Sequence, residues 1–167
     1  MILLPAPFGA GEFVAWRLDS AKHATTWDSG EGSFRVGGRW NSAGVRAVYM
    51  ALDPATAILE VAVHKGFEAL DTLPHMLTSA SILDTRRIHI VKPTDVPNAH
   101  WLHPCPPSLG QQQFGDDLLA KHPFVMLPSA VSAYSWNLIF VAAKATTLYK
   151  LRSQARFALD TRLHKAP

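Results

Sequence analysis

One cysteine, Cys105, stands in 167 residues, so no disulfide can form within the chain. That suits a reducing compartment. Charge is scarce as well: Asp, Glu, Lys and Arg make up 17% of the residues and the net charge is +3. The basic residues are scattered, with one loose group near the C-terminus at Lys150, Arg152, Arg156, Arg162 and Lys165. So mild a balance argues against direct nucleic-acid binding, and it suits a phosphate-bearing small molecule or an acidic protein surface. No apolar run approaches the ~20 residues of a membrane-spanning helix. The opening MILLPAPFGAGEF has no basic n-region and is interrupted by Pro5, Pro7 and Glu12, so it does not read as a signal peptide. The expected setting is the cytoplasm, with no membrane partner. Also missing are a G-x-x-x-x-G-K-[ST] phosphate loop, a G-x-S-x-G elbow, an H-E-x-x-H helix and a paired C-x-x-C. GAGEF lacks the full dinucleotide fingerprint and the strand that should precede it.

What remains is a globular chain, 48% hydrophobic, of a length that favours one domain. A single domain over 1–167 is expected, with its core at about 12–140 and a tail, 141–167, that packs back or frays. EFVAWRL (12–18) reads as a first strand, with Phe13, Ala15 and Arg17 on one face. SFRVGGRW reads as a hairpin turning at Gly37-Gly38, and VRAVYMAL (45–52) as the strand after it. DPATAILEVAVHKGF is the clearest helix, with Asp53 at the N-cap, Pro54 at the first helical position and Gly66 at the C-terminal cap. It is apolar nearly all round, which predicts burial on several sides. MLTSASIL, RIHIVK, FVMLPSAVS and WNLIFVAA read as strands. KPTDVPNAHWLHPCPPSLGQQQ reads as a long connection and FGDDLLAKH as a short helix. Strands outnumber helices without strict alternation, so the expected class is α+β.

Few residues carry candidate chemistry. VGGRWNSAGVRAVYMA sets Arg39 between two glycine-marked turns, with Tyr49 on the strand that follows. Glu60 is the one carboxylate in the middle of its apolar helix. Burial there requires a partner or a polar cavity, and His64, four residues on, is one ordinary partner. Arg17 and Arg39 read either as strand arginines snorkelling at a sheet edge or as a clamp for phosphates. His100, His103 and Cys105 have a spacing a metal could use, but a lone cluster in a proline-rich loop reads as structure, and no metal site is expected. Taken together, two arginines, a tyrosine, a helix glutamate and the late Ser129 are the set an enzyme needs to break a dinucleotide's glycosidic bond.

The order WR, GGRWNSAG, Tyr49, AILEVAVH, LPSAV and Asn137 resembles the RES domain, the toxin half of Xre/RES toxin–antitoxin pairs, from about Trp16 to Asn137. The resemblance implies an ADP-ribosyltransferase-like α+β core, with small mixed or antiparallel sheets and flanking helices around an NAD cleft. It implies cleavage of the nicotinamide–ribose bond of NAD+, with ADP-ribose passed to water or phosphate, and no metal or other cofactor. A mono-ADP-ribosyltransferase acting on a protein and a non-catalytic antitoxin-binding module are the other readings. By position, Arg17 and Arg39 would hold phosphates or ribose, and Tyr49 would stack beside nicotinamide or position its ribose. Glu60 would stabilise the oxocarbenium-like centre, Ser129 would orient the substrate, and Gly37 and Gly38 would permit the turn that presents Arg39. The implied partner is an Xre-type helix-turn-helix antitoxin covering the active site in a hetero-oligomeric complex. After Asn137 this chain reads LIFVAAKATTLYKL in place of the family's L-x-N-P-x-H-like stretch.

Overall fold

The computed structural model describes residues 12–163, so the signal-peptide reading and most of GAGEF fall outside the described residues. In chain order the elements are β1 (Phe13–Ser20), α1 (Glu31–Val36), β2 (Ala47–Ala51), α2 (Pro54–Thr72), β3 (His75–Ile82) and β4 (Ile88–Ile90). They continue with α3 (Leu109–Lys121), β5 (Phe124–Pro128), β6 (Trp136–Val141), α4 (Ala142–Ala145) and β7 (Tyr149–Phe157). The strands form one sheet in the order β4-β5-β6-β2-β1-β3-β7, antiparallel except for the parallel pair β4–β5. The class is mixed α+β, as expected.

The sheet is nearly two sheets. β1 runs along β3 from Phe13↔Ile82 to Ser20↔His75, and β2 runs along β6 from Ala47↔Val141 to Ala51↔Asn137. Between them β1 and β2 share a single pair, Trp16↔Ala51, and then splay apart. Alternation along the strands sends one set of side chains to a continuous core: Ala15, Val48, Met50, Ala80, Phe124, Met126, Leu138 and Phe140, closed by Trp27. Each large apolar side chain fully buried there contributes about 1.5–3 kcal/mol. On the opposite face the core is divided. Ala47, Val125, Leu127 and Ile139 lie with Trp40 and with Leu119 of α3, whereas Leu18 and Leu77 lie with Ala62 and Leu70 of α2. Two helices thus cover two half-sheets, and a gap is left over the splay.

Five expectations change. SFRV is not a strand: it forms most of α1, and Gly37 at φ 75° ends that helix, its N–H donating to the Ser33 carbonyl. A glycine ending a helix and a glycine turning a hairpin look alike in sequence, because both supply positive φ. α2 runs past Gly66 to Thr72, with Gly66 at φ 78° as a kink rather than a cap. That helix is also not buried on several sides, since Leu59, Val63 and Phe67 are 36, 58 and 36% exposed. α3 begins at Leu109, capped by Ser108, so the stretch GQQQ is helical rather than part of the connection. The segment 141–167 holds the edge strand β7, paired with β3 from Tyr149 to Phe157, and Leu159 beyond it is buried, so the core does not stop at 140.

Candidate functional site

Over the splay lies a cleft of about 840 Å³, within the size range of ligand pockets. Its floor is sheet, from Trp16 and Ala51 to Asn137; one wall is α2, and the other is the segment from α1 through Arg39 together with Pro104–Pro107.

Glu60 stands on the α2 wall. Asp53 caps that helix by accepting from the Thr56 N–H at 2.8 Å, with Pro54 at the first helical position, and this sets the helix phase that points Glu60 at the sheet. Glu60 Oε1 accepts from Asn137 Nδ2 at 2.6 Å and from Ser129 Oγ at 3.0 Å. Oε2 carries no hydrogen bond among the described residues. Both donors are neutral and held in place: Asn137 lies mid-sheet on β6, and Ser129 is 4% exposed, its Oγ also accepting from the Val131 N–H at 3.2 Å. Of the two sequence readings of Glu60, the structure takes the cleft; its hydrogen bonds go to the sheet and not to His64. Ser129 does not line the cleft, contrary to its expected place against the substrate. It sits behind Glu60 and orients the carboxylate.

The opposite wall is built from backbone. Gly38 and Asn41 form a β-bridge, so the turn carrying Arg39 is tight. Tyr49 Oη donates to Asn41 Oδ1 at 2.7 Å and accepts from the Trp40 N–H at 3.0 Å. Gly38 is required there, because a Cβ would sit 2.6 Å from both Asn41 Oδ1 and Tyr49 Oη. α3 clamps the turn from outside: Gln112 donates to the Gly38 carbonyl at 2.9 Å, and Asp116 accepts from the Ser42 N–H at 3.1 Å. Gly115 lets the helix press so close that a Cβ would fall 1.9 Å from the Trp40 carbonyl oxygen. Burial holds the Tyr49 phenol well above its usual range, so it stays protonated near neutral pH. Its ring packs against the core under α3, and its hydroxyl is spent on the turn.

Arg39 itself donates to three carbonyls of the proline-rich loop: Trp101 at 3.3 Å, His103 at 3.2 Å and Cys105 at 3.2 Å. Its ion pairs, among the described residues, are none. Arg17 fills the splay from β1. Nη1 donates to the Tyr49 carbonyl at 3.0 Å, replacing the ladder bond that β1 does not make there, and Nη2 pairs with Asp19 at 2.6 Å. Arg17 Nε is buried with no partner among the described residues. Burial pushes the Asp19 carboxyl up, but the Arg17 guanidinium and the Ser20 N–H outweigh it and hold the group below its ordinary value. Among the described residues no three His, Cys, Asp or Glu side chains gather where they could hold a metal ion, and His100, His103 and Cys105 are exposed.

Arg17, Gly38, Arg39, Tyr49 and Glu60 are therefore brought to one cleft. Sequence reasoning missed Asn41, Gln112, Asp116 and the grip of Asn137 on Glu60. Asn41 stood in the quoted block and Asn137 closed the family pattern, whereas Gln112 was hidden by the late start assigned to its helix.

The site is thus a cleft over a split α+β sheet, with a carboxylate on the α2 wall, Arg17 in the split and Arg39 on the opposite wall. Residues 14–160 match the RES domain model, and the chain belongs to the RES domain family. A Toxin Res of Photorhabdus laumondii subsp. laumondii is 31% identical over 157 residues, covering 92% of this chain and 98% of that protein. A Toxin Res of Pseudomonas putida is 40% identical over 58 residues, 35% of this chain and 37% of that one. The fold is shared with the crystal structure of the M. tuberculosis MbcT–MbcA toxin–antitoxin complex. There the TM-score is 0.68 and the identity 20%, with 89% of this chain and 85% of that one covered.

Proposed function

We propose that this RES domain is a toxin that degrades NAD+ by breaking the nicotinamide–ribose bond. The observation that carries the reading is Glu60, fixed through Oε1 by Asn137 and Ser129, with Oε2 left for a ligand and two arginines elsewhere in the same cleft. As the C1′–N bond lengthens, its electron pair goes to the pyridinium nitrogen and neutral nicotinamide departs. The positive charge then grows on the ribose, where a fixed carboxylate stabilises it more than it stabilises the ground state. An oxygen of water or phosphate bonds to C1′ and, for water, releases its proton to solvent. Arg39 exchanges three neutral carbonyls for the diphosphate, with charge-assisted hydrogen bonds of about 1.5–3 kcal/mol each. In this reading the substrate and the chain's own side chains suffice, with no metal or other cofactor.

An Xre-type helix-turn-helix antitoxin is the partner proposed to cover the cleft, with an acidic or carboxylate element reaching toward the arginines. The exposed apolar residues Leu59, Val63 and Phe67 on the α2 wall support a protein partner at that mouth. The activity is tested by incubating antitoxin-free protein with NAD+, with and without phosphate, and following nicotinamide. Release within minutes is expected, with the ADP-ribose label remaining in small molecules. No release under either condition overturns the proposal, and label transferred to protein moves it to a mono-ADP-ribosyltransferase.

A further inference from the structure

The chain has five tryptophans, and four have structural places. Trp27, Trp40 and Trp136 are 7, 1 and 2% exposed, and Trp101 tilts against Phe114. Trp16 differs. It is half-buried on β1, lines the cleft and belongs to none of the three core clusters, and its side chain has no ring partner or hydrogen bond among the described residues. An indole left this way on the floor of a cleft presents part of a flat apolar surface to the cleft without an aromatic partner.

Its register says what would lie on it. Trp16 pairs with Ala51, and Ala51 pairs with Asn137, so the three side chains stand in one row on one face of the sheet. Trp16 and Asn137 are two strand spacings apart, roughly 10 Å, with only a methyl group between them. Asn137 holds Glu60, so the gap opens directly beside the carboxylate. A planar ring is about 3.4 Å thick and leaves room there for the sugar carbon to which it is bonded. Tyr49 also lines the cleft, but its ring packs against the core under α3 and its hydroxyl is fixed by Asn41 and Trp40, whereas the Trp16 indole has no such commitments.

We infer that Trp16 and Ala51 form the subsite for the leaving ring, an uncharged pyridine carboxamide once the bond has broken, with the indole as its stacking surface. This rests on the NAD+ reading above and deepens it. It shifts the stacking role from Tyr49 to Trp16.

The test uses the full chain and the two halves of the substrate, nicotinamide and ADP-ribose, with binding measured by calorimetry. Trp16→Ala is expected to weaken nicotinamide at least tenfold while ADP-ribose changes less than threefold, and Trp16→Phe is expected to stay within threefold of the parent for both. Ala51→Val, which narrows the gap without touching the indole, is expected to weaken nicotinamide alone. Tryptophan fluorescence should fall when nicotinamide is added to the parent and stay constant in Trp16→Phe. Equal weakening of both ligands by Trp16→Ala, or no weakening of either, overturns the subsite and leaves the NAD+ reading standing. A parent protein that binds neither ligand overturns both.

Discussion

The two walls of the cleft hold their charged groups by opposite means. Glu60 is gripped by two neutral side-chain donors, one in the middle of the sheet and one 4% exposed behind it. Arg39 rests on three backbone carbonyls of a largely exposed loop, among them those of His103 and Cys105. The anion is preorganised, with one oxygen committed and one free. The cation is placed but replaceable, because a phosphate oxygen is a better acceptor than a carbonyl. One wall is therefore suited to meeting charge that appears only in the transition state, and the other to ground-state binding.

That contrast can be broken in kinetics. Glu60→Gln keeps the shape and removes the charge; it is expected to lower kcat for NAD+ cleavage by about 10²–10³-fold with KM little changed, as for loss of one preorganised electrostatic contact. If kcat survives, the carboxylate wall is not the reacting one. Next in size is Gly115→Ala, whose Cβ collides with the Trp40 carbonyl and must push α3 off the Arg39 turn. Its cost is about 3 kcal/mol, read by denaturant unfolding. Arg39→Ala is expected to raise KM about 10–100-fold while kcat falls less than tenfold, the loss of one or two charge-assisted bonds. A drop confined to kcat would erase the distinction between the walls. Tyr49→Phe leaves the Trp40 N–H and Asn41 Oδ1 without their shared partner and costs about 1–2 kcal/mol in stability, with KM rising as the Arg39 turn loosens.

The smallest effect is in acid. Asp19 is held below its ordinary value of 3.8, so its contribution is fully present above that pH and is lost as the pH falls through the lower folded value. Asp19→Asn should flatten the stability profile below about pH 4 relative to the parent while leaving the two profiles parallel at neutral pH. An unchanged acid limb in urea melts would show that the Arg17–Asp19 pair does not set this dependence.

Much of this architecture could be read from residue order. Asp53-Pro54 announced the start of α2, and the apolar runs announced β2, β5 and β6, because those signals are local. Arg17, Arg39, Tyr49 and Glu60 stand out in the sequence by residue type and order, and the fold gathers them at one cleft. What was not legible depends on neighbours distant in sequence. SFRV became a helix because its end, not its composition, is fixed, at Gly37. β7 has an exposed, charged sequence that reads as tail; it is a strand because β3 offers an edge to pair with. Ser129 reads in sequence as a substrate contact, since spacing cannot say which side of Glu60 a serine will occupy.

The single β1–β2 pair has a further consequence, for amide protons. A strand inside a seven-stranded sheet should have both edges protected, yet beyond Trp16 the edge of β1 that faces β2 has no ladder partner. Those N–H groups of β1 that find no acceptor are expected to exchange with solvent through small openings, as a peripheral strand's would, although β1 is a central strand. Occupancy of the cleft should slow them more than any others, so the deuterium uptake of one central strand reports whether the two half-sheets are bridged.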